Sequence, residues 1–122
     1  MIKRFMLLLL IAVFAAPAVV YAGGDSSACA TRYPVVLSHG MGAQAEILGI
    51  IDYWGSIPDE LEDNGADVYI TSVNAMDSTA NKAAAWKQQV LQILAVTGKA
   101  KINLIGHSHG TLYSRYAISN LG

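Results

Sequence analysis

A serine between two glycines, late in the chain, has the sequence context of a catalytic nucleophile. The segment Gly106-His107-Ser108-His109-Gly110 follows an apolar run of strand type, Lys101–Ile105, and precedes a helical pattern. In this order, G-x-S-x-G predicts a tight strand-to-helix turn that lifts the serine Oγ above a sheet. Side chains at Gly106 or Gly110 would collide with the neighbouring backbone. We therefore predict that Ser108 is a nucleophile; the alternative is a helix-capping serine in a glycine-rich turn.

A second glycine-rich segment is placed to supply hydrogen-bond donors for an oxyanion. His39-Gly40-Met41-Gly42 follows the apolar run Tyr33–Leu37, at the carboxyl end where parallel sheets bind their ligands. Acyl transfer to a serine requires two preorganised N–H groups that face the oxyanion. We expect His109, the residue after the nucleophile, to supply one backbone N–H and Met41 to supply the other. Taken alone, the His39-Gly40 pair is equally typical of an ordinary turn at the end of a strand.

A general base for the serine cannot be assigned in this sequence. A serine hydroxyl needs a base, usually a histidine, and a carboxylate that orients it; where G-x-S-x-G marks the nucleophile, both follow the serine. His109 is the only histidine after Ser108, adjacent to it and on the wrong side of the turn, and no Asp or Glu follows Asp77. We interpret His39, His107 and His109 as loop scaffolding. We therefore expect the chain by itself to be inactive.

The elements around these segments alternate between strand and helix. Three short apolar runs are typical of strands buried on both faces, and helical patterns lie between them. This alternation predicts an α/β fold with a parallel sheet of about three strands flanked by helices. The last strand is apolar enough to need neighbours on both edges, so we interpret the chain as a truncated domain. The predicted strands are Tyr33–Leu37, Asp67–Thr71 and Lys101–Ile105, and the predicted helices run from the N-cap Ser56 to Asn64-Gly65, from Thr79 to Thr97 with Gly98 as its end, and from just after Ser108. The second helix has an apolar face formed by Ala83, Trp86, Val90, Ile93, Leu94 and Thr97.

The first residues have the features of an export signal. Lys3 and Arg4 precede the apolar run Phe5–Val20, and the small residues that follow predict cleavage after Ala22, with Ala16-Pro17-Ala18 as a second candidate. The alternative is a membrane anchor, but the run is short for a transmembrane span. We therefore expect a secreted protein that retains no transmembrane segment after cleavage. The predicted division is residues 1–22 as signal peptide, 23–32 as N-terminal spacer and 33–122 as the N-terminal portion of the α/β domain.

The net charge and the cysteine content limit the classes of partner that we expect for the chain. Two of the eight basic residues and none of the nine acidic ones lie in residues 1–22, so six basic and nine acidic residues remain, a net charge of −3. No basic stripe is present, and we expect no nucleic-acid partner. Cys29 is the only cysteine, which is unusual in an oxidising compartment. It pairs outside this sequence, stays free, or carries a lipid, although the residues before it lack the apolar residue expected for lipidation. No cofactor or metal site is predicted within the chain.

Three stretches of the chain match a known family in combination. They are YPVVLSHGM, ILGIIDYWGSIPDELEDNGADVYIT and INLIGHSHG followed by SRYA. With them, the chain from about Tyr33 to Tyr116 closely resembles the true lipases of the Pseudomonas, Burkholderia, Proteus and Vibrio type, within the α/β-hydrolase superfamily. The resemblance implies a triacylglycerol lipase that hydrolyses long-chain esters at an oil–water interface. It implies Ser108 as nucleophile, with the backbone N–H groups of Met41 and His109 as oxyanion donors.

The same resemblance implies parts of the family's machinery that lie beyond residue 122. These are the catalytic Asp and His, a structural calcium site, a disulfide and a mobile lid helix. It also implies a membrane-tethered foldase and a two-step export route as candidate partners. One departure is Thr111, where these lipases usually have glycine; its bulk is expected to alter substrate fit without preventing the turn. The alternatives left open are a short-chain esterase, a non-catalytic truncated remnant, and a lipid- or carbohydrate-binding module.

Overall fold

The computed structural model describes residues 27–40, 46–47 and 51–122. The predicted signal peptide lies outside these residues. None of the helices in the described part of the chain is long and apolar enough to cross a membrane. The elements are, in chain order, β1 (Val35–Ser38), β2 (Glu46–Ile47), β3 (Ile51–Asp52), α1 (Ile57–Asp63), β4 (Val68–Thr71), α2 (Thr79–Thr97), β5 (Asn103–Gly106) and α3 (His109–Tyr116), which continues into a π-helical segment, Ala117–Leu121.

Strand β1 is the central strand of a parallel sheet in the order β4-β1-β5. All four residues of β1 are buried, whereas most residues of β4 and β5 are half-buried. The register pairs Ser38 with Thr71 on one side and with Gly106 on the other. The carboxyl ends of all three strands therefore meet at one edge, where ligands bind in such sheets. The predicted α/β architecture, a three-stranded parallel sheet flanked by helices, is confirmed.

The predicted strands are present, but each begins one or two residues later than predicted. β1 begins at Val35 rather than Tyr33, and β5 at Asn103 rather than Lys101. The backbone N–H of Asn103 donates to the carbonyl of Pro34 at 2.8 Å. The strand ends are therefore set by pairing between strands, which the apolar runs do not encode. The antiparallel pair β2-β3 and the π-helical segment were not predicted.

The helices end at the predicted glycines, whereas the serine predicted to cap α1 makes no side-chain cap. Gly98 ends α2 with φ of 66°, and Gly65 follows α1 with φ of 92°, both in the left-handed region as predicted. The N-cap prediction for α1 is right only in position. Ser56 precedes the helix, but its side chain makes no capping hydrogen bond. Its backbone carbonyl accepts the N–H of Glu60 at 2.9 Å.

Both faces of the sheet are packed, because side chains alternate along β1. Val35 and Leu37 point to one face and pack with Trp54 and Ala66. On the other face lie α2 and α3, and the indole Nε1 of Trp86 donates to the Ser38 hydroxyl at 2.7 Å. Burial on both faces explains why β1 reads as a continuous apolar run. The core under α2 and α3 consists of Val73, Ala83, Trp86, Tyr113 and Ala117.

Cys29, whose role the sequence leaves open, is part of the packing on the α1 side. Its thiol is free, half-buried and lies against the cluster that contains Val35 and Trp54. Its backbone N–H donates to the carbonyl of Asn64 at 2.7 Å. In the described residues, Cys29 therefore joins the segment before β1 to the end of α1.

Candidate active site

The turn between β5 and α3 holds Ser108 in a backbone conformation that L-residues rarely adopt. Its φ is 54° and its ψ is −126°, and it has the only positive φ among the described non-glycine residues. The side chain is exposed and makes no capping hydrogen bond to α3. Strained backbone of this kind is typical of functional sites. The geometry is that of the predicted strand-to-helix turn and differs from that of a helix cap.

The two glycines of the motif allow α3 to approach the sheet closely. A Cβ on Gly110 would lie 2.1 Å from the carbonyl oxygen of Ser38, and a Cβ on Gly106 would lie 2.9 Å from the backbone nitrogen of Thr111. Neither space accommodates a side chain. The turn is also tied to β1, because the N–H of His107 donates to the Ser38 carbonyl at 3.0 Å.

Thr111 stabilises the turn through two hydrogen bonds to the backbone of Ser108. Its N–H donates to the carbonyl of Ser108 at 3.1 Å, and its hydroxyl donates to the same oxygen at 2.7 Å. Its methyl group lies against Gly106. The turn therefore forms with threonine at this position, and the residue that departs from the family pattern adds a hydrogen bond.

The segment after β1 runs directly against Ser108. A Cβ on Gly40 would lie 2.9 Å from the Cβ of Ser108, so only glycine permits this approach. The predicted oxyanion donor Met41 follows Gly40 in sequence but lies outside the described residues. The structure thus brings Gly40, the residue before Met41, and Ser108 together, as the sequence-based hypothesis requires.

Tyr53, which no sequence pattern marks as functional, joins these two segments. Its hydroxyl accepts the N–H of Gly40 at 3.0 Å and forms a short hydrogen bond with Nδ1 of His107. The exposed His107 ring also packs near the rings of Tyr53 and Trp54, with centroid separations of 5.6 and 6.5 Å. Because the N–H of Gly40 already has an acceptor, this amide is not available to an oxyanion.

His39 has both ring nitrogens occupied by backbone groups. Its Nδ1 donates to the Gly40 carbonyl at 2.9 Å, and its Nε2 accepts the N–H of Val73 at 3.1 Å. The carbonyl of His39 accepts the hydroxyl of Tyr113 at 2.9 Å. Burial raises the pKa of Tyr113 to about 12, so this hydroxyl keeps its proton as a donor. His39 is fully buried and serves to fix the loop.

His109, the first residue of α3, is held by two residues of α2. The Lys82 ammonium donates to Nδ1 at 3.0 Å, and Nε2 lies 3.0 Å from the hydroxyl of Thr79. Burial, and to a smaller extent the positive charge of Lys82, lowers the pKa of His109. At the start of a helix, backbone N–H groups have no acceptor within the helix. The amide of His109, next to Ser108, therefore has no acceptor within α3.

Lys82 and Thr79 are functional candidates that the sequence interpretation missed. A signal for Lys82 was present, because it stands four residues before Trp86 on the apolar face of α2, where a charge is out of place. No such signal marks Thr79 or Tyr53. Among the described residues, no three or more His, Cys, Asp or Glu side chains come together as a metal site.

Comparisons with known proteins identify the family of the chain. Residues 33–120 match the alpha/beta hydrolase fold family. The triacylglycerol lipases of Pseudarthrobacter phenanthrenivorans and Burkholderia plantarii are each 42% identical to this chain over 90 residues, which are 71% of the chain and 28% and 25% of those proteins. The triacylglycerol lipase of Vibrio cholerae is 45% identical over 89 residues, 73% of this chain and 28% of that protein. The chain thus spans about a quarter of the length of these relatives, and the resemblance to bacterial lipases is confirmed. It belongs to the α/β-hydrolase fold family.

Proposed function

We propose that this chain carries the nucleophile and the oxyanion donors of a carboxylic-ester hydrolase, a lipase that acts on triacylglycerols. The observation that carries the proposal is the conformation of Ser108, which is exposed, has a φ of 54° and makes no capping bond. A serine that only capped α3 would have extended backbone and a side chain bonded to the helix. The relatives named triacylglycerol lipases support the reaction class and a lipid ester as substrate.

The proposed reaction proceeds through an acyl-enzyme. The Oγ of Ser108 attacks the ester carbonyl carbon while its proton passes to a general base. The oxyanion of the tetrahedral intermediate accepts hydrogen bonds from the backbone N–H groups of His109 and Met41. When the intermediate collapses, the carbon–oxygen bond to the alcohol breaks, and the alcohol leaves with the proton from the base. Water, which loses a proton to the same base, then attacks the acyl carbonyl; the bond to Oγ breaks, Ser108 recovers its proton from the base, and the carboxylic acid leaves.

We propose that the general base is a histidine outside this sequence. Both ring nitrogens of His39 and of His109 already have partners. His107 is hydrogen-bonded through Nδ1 to Tyr53 and packs on that side of the turn. The described geometry thus supports the interpretation of these histidines as scaffolding. Residues 23–122 alone are accordingly expected to show no turnover.

The remaining functional expectations follow from the sequence and from the relatives. We propose that residues 1–22 direct export and are removed, so that the protein acts outside the cell. A short-chain esterase remains the alternative within the same reaction class. The membrane-tethered foldase and the structural calcium site are expectations from the family resemblance, and no step of the proposed reaction depends on them.

Active-site labelling of the full-length protein tests the proposal. A fluorophosphonate probe is expected to label the wild type, and Ser108→Ala is expected to abolish labelling and to lower hydrolysis of p-nitrophenyl palmitate by at least about 10⁴-fold. Ser78→Ala is the matched control, because this serine also precedes a helix, and it is expected to keep both signals. Hydrolysis of p-nitrophenyl butyrate but not palmitate would favour the esterase. Undiminished labelling of Ser108→Ala would contradict the assignment of Ser108 as nucleophile. Turnover by residues 23–122 above that of the same fragment with Ser108→Ala would contradict the proposal that the general base lies outside this sequence.

A further inference from the structure

A buried positive charge lies next to the turn between β5 and α3 that contains Ser108. Lys82 is 1% exposed, and its ammonium donates to the carbonyl of Ala75 at 2.5 Å and to Nδ1 of His109 at 3.0 Å. Both partners are neutral acceptors. Burial of an ammonium group is unfavourable unless its contacts are good, and an apolar side chain would fill such a position at lower cost. Core packing alone does not explain a lysine here.

The contact with Lys82 fixes which ring nitrogen of His109 carries the proton. An ammonium group can only donate, so Nδ1 of His109 must accept, and the ring proton must lie on Nε2. From there it is directed at the hydroxyl of Thr79, 3.0 Å away. The ring of Tyr113 meets the imidazole edge-on, with centroids 5.9 Å apart. The imidazole is therefore held in position and tautomer by α2 on one side and α3 on the other.

We propose that Lys82 and Thr79 are positioning residues of the oxyanion hole, which act by holding His109 and with it the first backbone N–H of α3. This inference rests on the proposed function, in which that N–H is a donor. The lowered pKa of His109 is consistent with a neutral imidazole that accepts from the ammonium. Ser108 precedes this amide in a strained conformation, which persists only where the surroundings hold it. An anchor from the long helix α2 to the first residue of α3 supplies such a constraint.

A purely structural role for Lys82 is the competing explanation. Its bond to the Ala75 carbonyl ties the segment before α2 to that helix, and loss of this bond would lower stability without a specific effect on catalysis. The two roles differ in what they predict for His109. Only the positioning role requires that the effect of Lys82 on catalysis pass through the imidazole.

Kinetics and NMR of the full-length protein separate the two roles. Lys82→Met is expected to lower kcat about 10- to 100-fold with KM changed less than about threefold, since complete loss of an oxyanion donor costs about 10²–10³-fold. Lys82→Arg is expected to recover kcat to within about threefold of the wild type. Thr79→Val, a milder change, is expected to lower kcat about threefold. Lys87→Met is the matched control on the same helix, because its ammonium contacts only the carbonyl of Leu121 among the described residues, and it is expected to leave kcat unchanged.

A double-mutant cycle gives the decisive comparison. If Lys82 acts through the imidazole, Lys82→Met has no further effect on kcat when it is added to His109→Ala. Additive losses, or a folded Lys82→Met variant with wild-type kcat, would overturn the inference. The ¹⁵N shifts of the His109 imidazole are expected to show the proton on Nε2 in the wild type and a mixed tautomer in Lys82→Met; a wild type with the proton on Nδ1 would also overturn it. Failure of the proposed function is recognised separately, because the wild type would then show neither fluorophosphonate labelling nor ester hydrolysis.

Discussion

Ser78 and Ser108 each stand directly before a helix, and their geometries are opposite. Ser78 precedes α2 with extended backbone, φ −64° and ψ 157°, and its hydroxyl accepts the N–H of Asn81 at 3.2 Å. Ser108 precedes α3 with φ 54° and ψ −126° and makes no capping bond. The first serine completes its helix, as capping serines do. The second is held in a strained conformation, and its hydroxyl is not committed to its helix.

The surroundings of the two serines explain the difference. Ser78 lies on an exposed turn, where its backbone can adopt the conformation that a cap requires. Ser108 lies between two glycines that allow α3 to close against β1, with Gly110 in contact with the backbone of Ser38. Strain of this kind costs about 1–3 kcal/mol and is maintained only by neighbouring structure. Serine therefore stabilises α2 as a cap at position 78, whereas at position 108 its hydroxyl makes no bond to the helix that follows.

The largest expected change in stability comes from removing the close approach at Ser108. In Gly110→Ala the new Cβ would lie 2.1 Å from the Ser38 carbonyl oxygen, so α3 must move away from β1. We expect a loss of about 3 kcal/mol in the free energy of unfolding, measured by urea denaturation. Gly98→Ala is the control: an added Cβ would meet no atom within 4 Å apart from its chain neighbours, and only the φ of 66° opposes alanine, so a loss of about 1 kcal/mol is expected. Equal losses would show that contact with β1 does not maintain the turn.

Removal of the Ser78 cap of α2 is expected to give the next largest change in the free energy of unfolding. Ser78→Ala removes the acceptor for the Asn81 N–H and is expected to lower the free energy of unfolding by about 1 kcal/mol. Ser108→Ala removes no capping bond and is expected to change it by less than about 0.5 kcal/mol. Denaturation curves of the two variants measure this difference directly. A loss at position 108 as large as that at position 78 would mean that both serines cap.

Relief of strain predicts a smaller effect of opposite sign. Glycine adopts a φ of 54° without the penalty that serine has, although it costs more backbone entropy on folding. Ser108→Gly is therefore expected to raise the free energy of unfolding by about 0.5 kcal/mol, while esterase activity is lost. Ser78→Gly, at an unstrained cap, is expected to lower it by a few tenths of a kcal/mol. A destabilised Ser108→Gly variant would show that the serine conformation is not strained.

The smallest effect concerns pH at the cap of α2. The pKa of Asp77 is lowered from its usual 3.8, chiefly by the hydrogen bond from the Asn81 side chain and then by the backbone N–H of Ser78. A carboxyl whose pKa is lower in the folded state contributes stability above its ordinary pKa and loses it as the pH falls through the lowered value. Asp77→Asn is expected to lower stability at pH 6 and to reduce the fall in stability below about pH 4. Thermal unfolding of both proteins at several pH values tests this, and identical profiles would remove Asp77 from the cap.

Parts of this comparison could be predicted from the sequence and parts could not. The glycine spacing around Ser108 predicts its turn because the residues that permit the turn stand together at positions 106, 108 and 110, although the backbone that Gly110 approaches belongs to Ser38 of β1. Ser56 is the N-cap residue of α1 as predicted, but its side chain makes no capping hydrogen bond, and the cap that Ser78 forms on α2 was not predicted. Residue type alone does not determine ψ before a helix, and a serine caps only where the preceding turn leaves it extended. The buried role of Lys82 was also missed, although its position four residues before Trp86 places this charge on the apolar face of α2.

Local order in the sequence determined the class of fold, the helix ends at Gly65 and Gly98, and the position of the serine turn, because the residue types that indicate each stand close together in the sequence. The tertiary structure decided which strand is central, that Tyr53 joins Gly40 to His107, and that Lys82 holds His109. These contacts connect elements 13 to 54 residues apart in sequence. They depend on strand register and on how α2 packs across the sheet, which no short stretch of sequence encodes.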